Sequence, residues 1–108
     1  MSWGVCGNNL TMTEEDFGVE LPVTVDVGVT LGELDEIQLV VKDKLHGEDL
    51  ITKTFSNIVN NTVSLVISRA ESALLPVGNY VYRLDWLQDR HFMCNVIPAA
   101  ELKVVRKA

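Results

Sequence analysis

The chain has 108 residues, enough for one domain and too few for two separate hydrophobic cores. Its apolar fraction of 47% and charged fraction of 22% are those of an ordinary globular domain, and no apolar run approaches the roughly 20 residues that cross a bilayer. The net charge of −6 argues against nucleic-acid binding, because phosphate recognition needs a concentrated basic face. We therefore expect neither a nucleic-acid nor a membrane partner.

The first residues lack the basic segment followed by an apolar one that marks a secretion signal, so we expect folding in a cytoplasm. In a reducing compartment Cys6 and Cys94 are expected to remain unpaired thiols. Charge is unevenly distributed: residues 1–54 have eleven acidic and three basic side chains, and residues 55–108 have four and six. Either strands from the two halves interleave and cancel this asymmetry, or the molecule is polar and suited to head-to-tail stacking.

The first half of the chain predicts strands in an order set by apolar alternation. Residues 1–17 fit either an N-terminal arm or a first strand, and the sandwich proper is expected over 18–108. Alternating valines over 19–27 predict a half-buried strand, which Pro22 restricts to an edge or a bulge. Residues 35–43 and 50–55 then predict a hairpin around an intervening turn.

The second half adds further strands and one helical turn. Strands are predicted over 63–68, 80–87, 92–97 and 101–106, the last two separated by Pro98. Ser68 followed by Glu71 is a capping box, which predicts a helical turn over 69–75. The apolar positions of these strands predict a core of Val23, Val25, Leu39, Val41, Val63, Leu65, Ile67, Tyr82, Leu84, Trp86 and Val104.

A Pro/Gly corner leads into the strand that starts near residue 80. Leu75, Pro76 and Gly78 precede Tyr80 and Tyr82, the pattern of a tyrosine corner, in which one phenol hydroxyl ties the incoming connection to the strand. Either tyrosine could supply that hydroxyl. With the regular strand spacing, the corner predicts an all-β, immunoglobulin/fibronectin-III-like antiparallel β-sandwich of about seven strands with one short helical turn.

The sequence offers no converging set of catalytic or metal-binding groups. His46 and His91 both stand beside turn residues and are expected to be solvated, and no Cys or His spacing is typical of zinc. A Gly-x-Ser-x-Gly elbow and a phosphate-binding glycine loop are also missing from the sequence. We therefore predict a protein that is not an enzyme and takes no cofactor or metal.

Five residues that are less easily placed in the core are the candidates for contact with a protein partner. Trp3 and Val5 belong to the N-terminal segment, and Arg90, Phe92 and Met93 belong to a predicted turn and the strand after it. Exposed apolar side chains in a patch usually mark an interface, so we expect one of these two segments to contact a neighbouring subunit.

The order of motifs resembles a known family. A Val-Val-Lys-Asp strand at 40–43 precedes an Ile-x-Lys strand at 51–53, and Val63–Ser68 leads through a short turn into Leu-Pro-x-Gly-x-Tyr-x-Tyr at 75–82. Over about residues 18–106 this is similar to the N-terminal immunoglobulin-like domain of bacteriophage baseplate upper proteins and related small phage tail modules.

The resemblance implies a non-enzymatic structural module of a phage or prophage tail or baseplate. Its partners would be protein subunits, including other copies of itself in an assembled particle, and it would move from the host cytoplasm into the virion. The alternative for such a sandwich is a bacterial adhesion or carbohydrate-binding domain, which an exposed aromatic platform would favour.

Overall fold

A computed structural model describes residues 4–6, 8–14, 18, 20–26, 28–44, 47–56 and 58–106 of the chain. Eight strands and one short helix lie within this described part. They are β1 (Gly4–Cys6), β2 (Asn9–Thr13), β3 (Leu21–Thr24), β4 (Asp35–Lys42), β5 (Asp49–Phe55), β6 (Thr62–Leu65), α1 (Arg69–Ser72), β7 (Gly78–Gln88) and β8 (His91–Val105).

The strands form two sheets, which confirms the predicted all-β sandwich. The larger sheet has the order β1-β2-β8-β7-β4-β5, and the smaller pairs β3 with β6. All pairs are antiparallel except β2 with β8, which run parallel. Because β7 and β8 lie between β2 and β4, strands from the acidic and basic halves of the chain interleave, as the first of the two charge alternatives expects.

The core lies between the inner faces of the two sheets. Nine of the eleven predicted core residues are buried, whereas Val23 and Trp86 are only half-buried against it. The prediction was wrong for Trp86 because β3 and β6 have four residues each and cannot cover the whole of the eleven-residue β7. The core also includes Leu10 and Met12, so β2 packs with the sandwich as a strand.

The predicted strand over 19–27 is shorter in the structure, where β3 covers only Leu21–Thr24. Gly18 and Gly28 on its two sides have φ of 77° and 81°, a left-handed conformation that ends extended pairing. Asp26 accepts a hydrogen bond from Gly28 N at 3.3 Å, which begins the turn toward β4. Val19 and Val27 lie outside the described residues.

The capping box is present as predicted. The Ser68 hydroxyl accepts from Glu71 N at 3.2 Å, and the Glu71 carboxylate accepts from Ser68 N at 2.9 Å. The helix ends at Ser72 rather than at the predicted residue 75, because the chain tightens into a turn in which Leu75 N donates to Ser72 O. Lys53, in β5 of the larger sheet, also contacts this cap: its Nζ donates a hydrogen bond to Glu71 Oε1 at 2.9 Å.

Two turns have left-handed backbone at both central residues, the geometry of a type I′ turn. Asn60 and Asn61 form the turn before β6, and Asp89 and Arg90 join β7 to β8. The Asn61 side chain also holds the β3–β4 connection, since Oδ1 accepts from Leu31 N and Nδ2 donates to Val29 O, each at 2.8 Å.

The prediction of two final strands broken by Pro98 was wrong, because one strand, β8, runs from His91 to Val105. Its register against β7 shifts three times, and each shift places one extra residue in β8. At one shift Tyr82 opposes Ala100 while Leu84 opposes Ile97, so Pro98 lies in the bulge, where its missing N–H interrupts no regular ladder.

Candidate protein-interaction surface

The corner before β7 is held by a tyrosine hydroxyl. Tyr80 Oη donates a hydrogen bond to the carbonyl of Pro76, four residues upstream, which is the contact that defines a tyrosine corner. Leu75 is buried beneath the corner, and Gly78 opens β7 with φ outside the left-handed region. A Cβ on Gly78 would stand 3.6 Å from Tyr80 Oη, an ordinary contact, so the corner does not require glycine there.

Tyr82 makes a second, longer-range connection. Its buried ring brings Oη to the carbonyl of Asn8, in the turn between β1 and β2, to which it donates a hydrogen bond. The two tyrosines therefore have separate tasks: Tyr80 closes the corner, and Tyr82 attaches the N-terminal hairpin to the centre of the large sheet. Burial raises the pKa of both phenols, because the charged phenolate would lose its hydration.

The β7–β8 hairpin carries three of the five predicted interface residues. Arg90 is exposed in the turn, and Phe92 and Met93, near the start of β8, are 59% and 45% exposed. We call these three residues the hairpin tip. Leu34, 64% exposed, lies at the same end of the molecule, where its carbonyl accepts a hydrogen bond from Asp89 N. This end of the sandwich is therefore an exposed apolar surface with a basic group beside it.

The other predicted residues are placed as follows. Val5 lies in β1, with its backbone opposite Leu10 of β2. Trp3 and His46 lie outside the described residues. His91 is the exposed first residue of β8, and Cys94 is a half-buried free thiol.

Asp35 stiffens the end of the molecule that carries the hairpin tip. This buried carboxylate accepts hydrogen bonds from Gly32 N at 2.7 Å, Trp86 Nε1 at 2.8 Å and Gln88 Nε2 at 3.2 Å. Burial acts to raise the pKa of Asp35, but these hydrogen bonds outweigh it and hold the pKa below its ordinary value. The β3–β4 connection and the end of β7 are thus tied to one anionic group.

A second buried carboxylate supports the bulged part of β8. Asp85 is 4% exposed and accepts from Arg83 Nε at 2.9 Å and from Asn95 Nδ2 at 2.6 Å. Because Asn95 stands between the extra residues of two bulges, this contact fixes the irregular segment against β7. The strand that follows the hairpin tip is therefore held in place.

Sequence reasoning missed a groove between the two sheets. A cavity of about 350 Å³ opens between β3 and the middle of β8, with Leu21 and Val23 on one side and Val96 and Ile97 on the other. Leu84 opposes Ile97 with Val96 as the extra residue, so the bulge turns two apolar side chains toward the same groove. Asp26, on the β3 side, is the one charged side chain among the described residues that line it.

Two of the sheet edges, those of β3 and β5, are poorly suited to adding a strand. On β3, Val25 N donates to Asn61 O of the β6 side, so by alternation Pro22 faces the free edge and offers no N–H there. On β5, Lys53 points inward to Val66 O at 2.9 Å, an inward charge of the kind that discourages edge pairing. These two edges therefore offer little support for a backbone ladder with an added strand.

Within the described residues, no group of three or more His, Cys, Asp or Glu side chains is arranged to hold a metal ion. The described part of the chain also contains no helix of the length and apolarity needed to cross a bilayer. Comparisons with protein-family models, with curated proteins and with solved structures found no significant match.

Proposed function

We propose that this chain is a non-enzymatic structural module of a phage or prophage tail or baseplate, which works by binding neighbouring protein subunits. The observation that carries the proposal is the hairpin tip: Phe92 and Met93 remain 59% and 45% exposed on a domain whose other large apolar side chains mostly lie in the core. Apolar side chains exposed together in this way are typical of surfaces that a partner covers.

The fold supports the same proposal. A sandwich with a tyrosine corner is the scaffold implied by the resemblance of residues 18–106 to baseplate immunoglobulin-like domains, and such scaffolds serve many functions. The networks at Asp35 and Asp85 hold the end of β7 and the bulged part of β8. A surface held rigid before association loses less conformational entropy on binding, which suits a subunit of a permanent assembly.

The test is co-expression of the tagged chain with the products of the genes that flank its own, followed by affinity purification and mass spectrometry. Phe92→Ser and Met93→Ser are expected to reduce recovery of a tail or baseplate product at least fivefold, since interface energy concentrates in a few apolar anchors. Leu74→Ser and Val77→Ser are matched controls: these side chains are 53% and 45% exposed but lie just before β7 begins, at the end opposite to the hairpin tip.

Loss of recovery in the control variants, or none in the Phe92 and Met93 variants, would remove the hairpin tip from the binding surface. Flanking genes without any tail, portal or holin product would count against the proposed assembly itself. Binding of the wild-type chain to a glycan array, lost on Phe92→Ser, would instead support the carbohydrate-binding alternative.

A further inference from the structure

We infer that two copies of this chain form a twofold-symmetric dimer in which the hairpin tip of each lies in the β3–β8 groove of the other. This deepens the proposed function by naming one neighbouring subunit, and it rests on that function. The tip and the groove are on the same strand: Phe92 and Met93 follow the turn, and Val96 and Ile97 line the groove a few residues later. A twofold axis near residues 94 and 95 therefore places the hairpin tip of each copy over the groove of the other.

The middle of β8 is open to such an approach. In the described part of the chain, β2 pairs with β8 only from Leu102 onward, so residues 91–100 have no strand on the side away from β7. The three bulges prevent a continuous backbone ladder there, but they turn additional apolar side chains outward or toward the groove. The contact would be apolar side-chain packing rather than strand addition.

Charge selects a second copy as the occupant. Arg90 is exposed at the tip, and no hydrogen bond or ion pair of its side chain occurs among the described residues. Asp26 is the charged side chain at the groove. Seating the tip of one copy in the groove of the other brings each Arg90 toward the groove that carries the partner copy's Asp26, and complementary charges of this kind fix register and exclude wrong partners.

The backbone at Arg90 points to the same use of its side chain. Its φ of 64° is left-handed, at the second central position of a type I′ turn, where Gly after Asp89 would fold with less strain. A residue that breaks the local preference of a turn suggests a function for its side chain. Arg90→Gly should therefore raise the midpoint of thermal unfolding by about 4 °C while weakening the dimer.

The experiment is sedimentation equilibrium of the purified full chain over a wide concentration range. Wild type is expected to show a monomer–dimer equilibrium. Arg90→Glu and Asp26→Arg, each placed twice in a symmetric contact, should raise the dimer dissociation constant at least about tenfold. The double variant Arg90→Glu/Asp26→Arg should return it to within about threefold of wild type, and Val77→Ser should leave it unchanged.

Three results would overturn the dimer: a monomeric wild type at millimolar concentration, single charge variants that associate like wild type, or a double variant that fails to recover while its thermal midpoint matches wild type. A monomeric chain that still recovers a product of a flanking gene would overturn the dimer and leave the proposed function standing. A dimer with the expected charge response but no recovery of any flanking product would support the dimer and contradict the proposed function.

Discussion

The two tyrosine hydroxyls of β7 allow a direct test of how the sandwich is held together. Tyr80→Phe and Tyr82→Phe each keep the ring in place and remove one hydrogen bond, to Pro76 O and Asn8 O respectively. Both acceptor residues are exposed as whole residues, so we expect water to replace the lost donor at each carbonyl. Each variant should therefore lose about 1 kcal/mol of unfolding free energy, the usual net value of one hydrogen bond.

The double variant separates the two connections. The hydroxyls bond to different carbonyls, one in the corner and one in the β1–β2 turn, so without coupling their effects sum to about 2 kcal/mol. Tyr80 and Tyr82 are neighbours on one face of β7, so a departure from that sum measures the coupling between the two connections. Urea denaturation at neutral pH, with a common slope for all four proteins, measures these differences. A loss below about 0.3 kcal/mol in both single variants would refute the role assigned to the hydroxyls.

The pH dependence of stability in the alkaline range is a second test of the two tyrosines, and its direction follows from their raised pKa values. Burial raises the pKa of Tyr80 and Tyr82 above the ordinary value of 10.0, so the folded state favours the protonated phenols. This contribution to stability is fully present below pH 10 and is lost as the pH rises through the folded-state pKa values. Wild type should lose stability above pH 10 more steeply than the double variant, and parallel curves would show that the phenols are not buried.

Three further predictions concern the turns and one buried carboxylate. Asn61→Ala should lower the free energy of unfolding by about 3 kcal/mol, because it removes two side-chain hydrogen bonds and adds strain at a left-handed φ of 57°. Asn61→Gly should lower it by about 2 kcal/mol, because glycine removes the hydrogen bonds without adding strain. Urea denaturation of both variants measures the difference. Gly78→Ala should stabilise by about 0.5 kcal/mol in thermal melts, since its φ is not left-handed and a Cβ fits. Because the pKa of Asp35 is lowered in the folded state, this carboxylate contributes stability above its ordinary pKa of 3.8, and the contribution is lost as the pH falls through the folded-state pKa. Asp35→Asn should therefore make the free energy of unfolding depend less on pH in the acid range.

Local signals in the sequence predicted local structure well. The capping box at Ser68 was predictable because both of its hydrogen bonds join residues three apart. β4 was predicted within one residue because Ile37, Leu39 and Val41 recur at every second position, and this period survives although Val40 between them is also buried. Apolar alternation predicts the bounds of a strand this closely only where one face of the strand is buried along its whole length.

The features that the sequence did not predict depend on contacts between distant parts of the chain. Pro98 was interpreted as a break, since nothing local shows that β8 has an extra residue there relative to β7. The groove brings Val23 of β3 and Val96 of β8 to the same opening, and no pattern within either strand indicates that. Likewise, the half-burial of Trp86 follows from how little of β7 the small sheet covers.

The free edges of the sandwich bear on how it could assemble. A domain meant to polymerise by strand addition would present regular, unprotected edges, whereas here Pro22 faces the free edge of β3, Lys53 turns inward from β5, and three bulges interrupt β8. These features disfavour non-specific edge pairing, so the association that we propose would use side-chain packing. In the dimer that we propose, the charge of Arg90 would supply register that no backbone ladder provides. That role would be a physical reason for an arginine at a left-handed position two residues before exposed Phe92.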